Sequence, residues 1–143
     1  RWLENFGVNV LINAASGTPY TPTKVYNEVT LAALAVQPIG EVNSRYGPWT
    51  TTVDLKAEKG FNLGGQKLNV YVWVLNVLDE DNVVNVYNGT GSAVTTNFLN
   101  TDEGRAFLDA AGPDGEQRYR LAERNPNLHS NPRQMRFGAK LSF

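Results

Sequence analysis

Residues 49–78 read WTTTVDLKAEKGFNLGGQKLNVYVWVLNVL, and the two-residue period of this stretch decides the fold. In its first half Thr51, Val53, Leu55, Ala57 and Phe61 share one face, with Lys59 as an intruder, while Thr52, Asp54, Lys56, Glu58 and Gly60 share the other. In its second half Leu68, Val70, Val72 and Val74 alternate with Lys67, Asn69, Tyr71 and Trp73. Successive side chains of a strand point to opposite faces, so this alternation predicts two strands with one apolar face each. Between them, Asn62-Leu63-Gly64-Gly65-Gln66 predicts a tight hairpin, because glycine accepts the positive φ of such turns. Near Asn76 the pattern slips, with Val77 and Leu78 adjacent, which reads as a bulge or a strand end.

The same period recurs at both ends of the chain. Phe6, Val8, Val10, Ile12 and Ala14 fall on one face, against Gly7, Asn9, Asn13 and Ala15, with Leu11 the exception. Ser16-Gly17-Thr18-Pro19-Tyr20-Thr21-Pro22 then breaks the pattern, since proline donates nothing to a ladder. At the other end Met135, Phe137, Ala139, Leu141 and Phe143 alternate with Gln134, Arg136, Gly138, Lys140 and Ser142. The fold class is therefore all-β and antiparallel, with four strands of about ten residues joined by a long, a short and a long connection.

The connections are mixed. Thr30–Val36 reads as a short helix or an irregular loop, and Asn43 to Pro48 as a turn cluster. Asp79-Glu80-Asp81-Asn82 precedes a second apolar run, Val83–Tyr87. In the stretch 88–132, Asn100 or Thr101 is placed to cap a helix, with Asp102 and Glu103 in its first turn and Gly112 past its end. Glu116–Arg124 predicts a second short helix, stopped by Pro126.

Composition excludes several functions. Thirteen Lys plus Arg against 14 Asp plus Glu give a net charge of −1, which argues against a nucleic-acid partner. The absence of cysteine excludes disulfides, thiolate metal sites and a cysteine nucleophile. The single histidine, His129, excludes a His-pair metal site. No apolar run approaches the roughly 18 residues that a membrane-spanning helix needs. Apolar residues make up 41% and charged residues 19%, a balance that suits a sheet with one face in lipid and the other in water. No signal peptide is visible, and the opening Arg1-Trp2 predicts a fragment or a processed chain.

Strand length and asymmetry point the same way. Crossing a bilayer at a tilt of about 45° takes roughly 9–11 residues, and transmembrane barrels have short turns on one side and long loops on the other. Trp2, Phe6, Phe61 and Phe143 would then lie near one interface, with Trp49 and Tyr87 near the other. From Trp49 to Phe61 the chain spans about 40 Å at ~3.3 Å per residue, or roughly 28 Å after tilt, close to the ~25 Å band between aromatic girdles.

Three stretches carry a family likeness: Ser16 to Pro22 after an alternating strand; Leu68 to Gly91 with Val74-Leu75-Asn76-Val77-Leu78-Asp79, Asn82 and Val86-Tyr87; and Asn131 to Phe143. The chain resembles the C-terminal end of a TonB-dependent outer-membrane receptor, a plugged β-barrel that imports scarce nutrients. The resemblance implies that residues 1–143 are the C-terminal part of a barrel domain of about 22 strands, whose plug and other strands lie elsewhere. It implies a barrel-assembly signal at Arg136, Gly138, Leu141 and Phe143, read by the outer-membrane insertion machinery. It further implies a bacterial outer-membrane location and lipid contact. The inner-membrane TonB complex would act through the N-terminal part of the parent, and a surface lipoprotein is an optional partner. The transported nutrient would be a siderophore, an oligosaccharide or similar.

No constellation for bond chemistry emerges, and the expectation is a non-enzyme without metal or cofactor. Asp79, Asp81 and Asn82 fail the calcium-loop pattern, with Val84 where a glycine and Thr90 where a glutamate belong. Asp54, Lys56 and Glu58 read as lumen-facing residues rather than a carboxylate pair. Asn88-Gly89-Thr90-Gly91 has the glycines of a phosphate loop without its lysine, and Asn88 also opens a glycosylation sequon. Tyr20, Tyr46, Phe98 and Tyr119 are the aromatic candidates for ligand contact in the loops. A soluble antiparallel β-sheet binding module for carbohydrate is the alternative function, but no segment supplies its second sheet. An enzyme fragment lacks a nucleophile and base, and a trimeric anchor lacks a heptad stalk.

Deleting Phe143 from the full-length parent is expected to lower its level in the outer membrane. Unchanged surface labelling of the deletion strain would contradict the assembly-signal reading.

Overall fold

The computed structural model describes residues 4–29 and 36–143. Trp2 and all but the last residue of the Thr30–Val36 stretch lie outside the described residues. The chain divides into two units: a sheet unit (the described residues up to Ala15, with Thr51–Asp81 and Asn131–Phe143) and a loop unit (Ser16–Thr50 with Asn82–Ser130).

In chain order the strands are β1 (Phe6–Ala15), β2 (Pro19–Tyr20), β3 (Arg45–Tyr46), β4 (Thr50–Leu63), β5 (Gln66–Leu75) and β6 (Gln134–Ser142). The main sheet has the order β1-β4-β5-β6. β4 and β5 are antiparallel from Leu55↔Val74 down to Leu63↔Gln66, and β5 and β6 from Lys67↔Ser142 to Leu75↔Gln134. The Gly60 N–H donates to the Asn5 carbonyl and the Asn13 side chain to Thr52 Oγ1, so β1 also runs antiparallel to β4. Only Gly64 and Gly65 separate the closing pair of the hairpin, at φ of 57° and 100°, the positive pair that a two-residue turn demands.

This register puts the alternating apolar residues of all four strands on one face, with Leu11, Tyr71, Trp73 and Leu75 on the other. On the apolar face one row runs Ala57–Val72–Phe137, the next Lys59–Val70–Ala139 and the one after it Phe61–Leu68–Leu141. That face is exposed on the edge strands, Phe137 to 78% and Ile12 to 67%, and mostly half-buried along β4 and β5. The other face carries Asp54, Lys56, Glu58, Tyr71, Trp73, Arg136 and Lys140. Among the described residues the sheet is open, with β1 and β6 as its edges.

The slip at Asn76 is a strand end. β5 stops at Leu75, and Asn76 turns the chain at φ 52°. Its backbone N–H donates to Asp54 Oδ1 (2.9 Å), and its amide accepts from the Glu80 N–H and donates to the Glu80 and Asn131 carbonyls. Asp79 then accepts the Arg133 backbone N–H at 2.8 Å and its guanidinium at 3.5 Å, which joins the exit of β5 to the entry of β6.

The loop unit holds the β2–β3 ribbon and two helices, α1 (Asp102–Ala111) and α2 (Gly115–Glu123). Thr101 caps α1 by accepting the Gly104 N–H at 3.0 Å, Asp102 and Glu103 occupy its first turn, and Gly112 ends it at φ 76°. Single 3₁₀ turns lie at Phe98–Asn100 and Pro126–Leu128. The unit has its own small cores: Tyr87, Ala93 and Leu128 in one, and Phe98, Leu99 and Tyr119 with Phe107 and Leu108 in the other.

Candidate functional site

The terminal strand joins the polar face through two cross-strand rows. Glu58 pairs with Tyr71 and Tyr71 with Gly138; Lys56 pairs with Trp73 and Trp73 with Arg136. Lys56 lies 2.9 Å from Glu58 and 5.5 Å from the centre of the Tyr71 ring. The Arg136 guanidinium sits 5.6 Å from the centre of the Trp73 ring. Each aromatic ring therefore has a cation within the distance at which its negative face attracts charge.

Gly138 has a specific task in this arrangement. A Cβ there would stand 2.4 Å from Tyr71 Cζ and Oη, so the ring lies over the bare backbone of β6. The other residues of the candidate assembly signal divide between faces. Leu141 pairs with Leu68 on the apolar face, and Phe143, one residue beyond β6, is 93% exposed. Arg136 and Gly138 thus hold aromatics on the polar side, while Leu141 and Phe143 offer apolar surface.

The expected interface aromatics separate. Phe6 and Phe61 stand on the apolar face toward its hairpin end. Trp49, which precedes β4, is 73% exposed. Tyr87 is corrected: it is only 6% exposed, packs in a loop core and donates its hydroxyl to the Glu123 carbonyl at 2.8 Å.

Two of the four loop aromatics are corrected for the same reason. Phe98 and Tyr119 are buried and form a three-ring cluster with Phe107, at centroid distances of 5.7 to 6.1 Å. They hold the loop unit together and present no surface to a ligand. Tyr20 pairs with Arg45 and lies against Gly91, whereas Tyr46 is exposed. Of the four loop candidates Tyr46 is exposed, and Trp49 lies three residues beyond it.

Two carboxylates without any sequence motif organise the loop unit. Glu28 accepts the N–H groups of Asn88 and Gly89 at 2.8 and 2.9 Å. The glycine-bearing turn that resembled a phosphate loop does hold an anion, and the anion is the chain's own carboxylate. Burial pushes the Glu28 carboxyl above its usual range, against the lowering effect of those two amide bonds. Glu123 accepts from Thr95 Oγ1, the Thr96 N–H, Thr96 Oγ1 and Arg120, at 2.6 to 3.1 Å. Burial pushes its carboxyl up, but the bonds to Thr96, Thr95 and Arg120 outweigh burial and hold it below the usual range. Burial also raises the Tyr87 and Tyr119 phenols, which act as neutral groups.

Among the described residues no cluster of His, Asp and Glu is arranged to hold a metal. Asp79 of the failed calcium pattern meets Arg133 instead. No helix among the described residues is long and apolar enough to cross a membrane. Comparison with known proteins finds no matching family model, curated protein or solved structure.

Gly138→Ala is expected to cost about 1–3 kcal/mol through the clash with Tyr71, read as a shift in the unfolding midpoint. Adding Tyr71→Ala should recover part of that loss; strictly additive effects would contradict the seated-ring geometry. Glu123 contributes stability that is full above its ordinary value of 4.5 and is lost as pH falls through its lower folded value. Glu28 has the opposite sign: its burial cost is relieved as pH falls through its raised value. Glu123→Gln, which keeps an acceptor but does not titrate, should flatten the acid limb of hydrogen-exchange protection at the Thr96 amide. Glu123→Ala should lower that protection by about 2–4 kcal/mol at neutral pH. An unchanged acid limb in the Gln variant would contradict the assignment.

Proposed function

We propose that the chain is the C-terminal barrel wall of a bacterial outer-membrane receptor of the TonB-dependent kind, importing a scarce nutrient such as a siderophore or an oligosaccharide. The observation that carries this reading is the two-faced main sheet. Its apolar face spans all four strands with a single interruption at Lys59 and is exposed to half-buried, and its other face is charged and aromatic. A sheet in water covers such a face with a second layer. A barrel wall covers it with lipid.

Further features support the reading. β1 and β5 have 10 residues each, the length that a tilted crossing requires. The two-residue turn lies at one end of the sheet, and both long connections leave from the other, as in barrels with short periplasmic turns and long outer loops. In the parent, the edges of β1 and β6 would pair with further strands, which removes two exposed edges. β6 would first meet the insertion machinery by strand addition. The polar face would line the lumen and meet the plug. Ligand would bind to the outer loops and plug, and the inner-membrane complex would open the plug through the parent's N-terminal part. In this mechanism the present residues supply wall, seal, two loops and the assembly signal, and none of them makes or breaks a bond.

The exposed Tyr46 and Trp49, three residues apart, favour a second reading as a soluble sheet module that stacks on sugars. The two readings differ in their need for lipid. The full chain is expected to give a strand-rich far-ultraviolet spectrum and cooperative unfolding in detergent micelles and to aggregate in plain buffer. A monodisperse chain with a sharp melt in water would overturn the barrel reading and favour the soluble module.

A further inference from the structure

One residue breaks the apolar face of the main sheet. Lys59 pairs with Val70, and Val70 with Ala139. The bond from the Gly60 N–H to Asn5 and the approach of Gly7 to Glu58 place Phe6 beside it. Among the described residues of the four strands, Lys59 is the charged residue on that face. Lumen lining explains the charges opposite but not this one.

The surroundings of Lys59 have a shape. Ala57, Val70 and Val72 are small and line an open hollow of about 330 Å³ together with Phe6, Phe137 and Lys59; Glu58 and Tyr71 border it too, and the Glu58 carboxylate is paired with Lys56. The ammonium donates to the Glu4 carbonyl at 2.5 Å, which directs it toward the hairpin end of the sheet. A lysine that lays its stem along apolar surface and carries its charge toward one end is the usual arrangement where a headgroup layer begins. Lys59 is four residues from Leu63, the last of β4, so about 13 Å along the strand, or roughly 9 Å along the membrane normal at a tilt near 45°. On the membrane reading the ammonium, drawn toward the Glu4 carbonyl, would reach below that level, toward the headgroup phosphates.

We infer that this hollow seats one anionic phospholipid, its acyl chain over Ala57, Val70 and Val72 and its phosphate on Lys59. The inference rests on the membrane reading above and adds a lipid class and a position to it. Charge complementarity selects the occupant. A neutral lipid would fill the hollow equally well, but a net anionic headgroup gains the attraction of the ammonium without bringing its own cation beside it.

The test is native mass spectrometry of the full chain in detergent micelles, titrated with phosphatidylglycerol or phosphatidylcholine. The wild-type chain should retain one phosphatidylglycerol about five-fold more tightly than phosphatidylcholine, the size expected of one interfacial cation. Lys59→Met should abolish that preference and Lys59→Arg should keep it. Lys67→Met, on the polar face, should leave it unchanged. Millimolar inorganic phosphate should not displace the lipid; displacement would mean a bare phosphate site and overturn the seat. Equal retention of both lipids, or a preference that survives Lys59→Met, would reduce Lys59 to a fastener of the Glu4 carbonyl. Equal loss in Lys67→Met would assign the preference to overall charge and overturn the seat. A chain that gives no strand signal in micelles would defeat the membrane reading itself, before any lipid is added.

Discussion

The Gly64–Gly65 turn fixes the pairing of Leu63 with Gln66, and every other pair along β4 and β5 follows from it. Side chains alternate with a period of two, so a slip of one residue would carry Leu68, Val70, Val72 and Val74 to the charged face. β6 pairs with β5 from Lys67↔Ser142 to Leu75↔Gln134 and extends the rows on both faces. Two residues able to hold positive φ therefore sort apolar from polar surface over the β4–β5 hairpin at the centre of the sheet. The second fixed point is at the far end, where Asn76 and Asp79 tie the exit of β5 to Asp54, Asn131 and Arg133.

The separation of roles between the two units has a physical basis. The strands keep their backbone groups within the ladder and commit their side chains to faces. The loop unit lacks extended ladders, and its long connections are ordered by carboxylates that gather backbone N–H groups. Glu28 and Glu123 do similar work under different balances. Glu28 has two amide donors and remains dominated by burial, whereas Glu123 has hydroxyl, amide and guanidinium donors enough to stay ionised.

Much of this was legible from the chain. The four long strands, the hairpin, and the helix that Thr101 starts and Gly112 ends all follow from local signals: period, glycine and a capping oxygen. The fate of Tyr87, Phe98 and Tyr119 was not legible. Aromatic type says that a residue stacks, and only long-range packing says on what; here the partners were Leu128, Phe107 and each other. Lys59 was visible as an exception to the pattern, but its carbonyl partner at Glu4 depends on the β1–β4 pairing. The seat of Tyr71 over Gly138 depends on β6 reaching β5 across more than fifty residues of sequence. Glu28 and Glu123 carried no pattern at all, because a carboxylate that folds a loop needs only donors that happen to arrive there.

The Tyr71–Gly138 contact also bears on how the last strand finds its place. Alternation penalises a shift by an odd number of residues and is blind to a shift by an even number, which leaves every side chain on its proper face. A shift of two would bring Arg136 or Lys140 opposite Tyr71 in place of the glycine. The ring would then meet a long side chain where it now meets bare backbone. Hydrophobic patterning and the glycine seat are thus complementary error checks, one for parity and one for absolute position, and together they leave a single alignment in which the sheet closes its final pair.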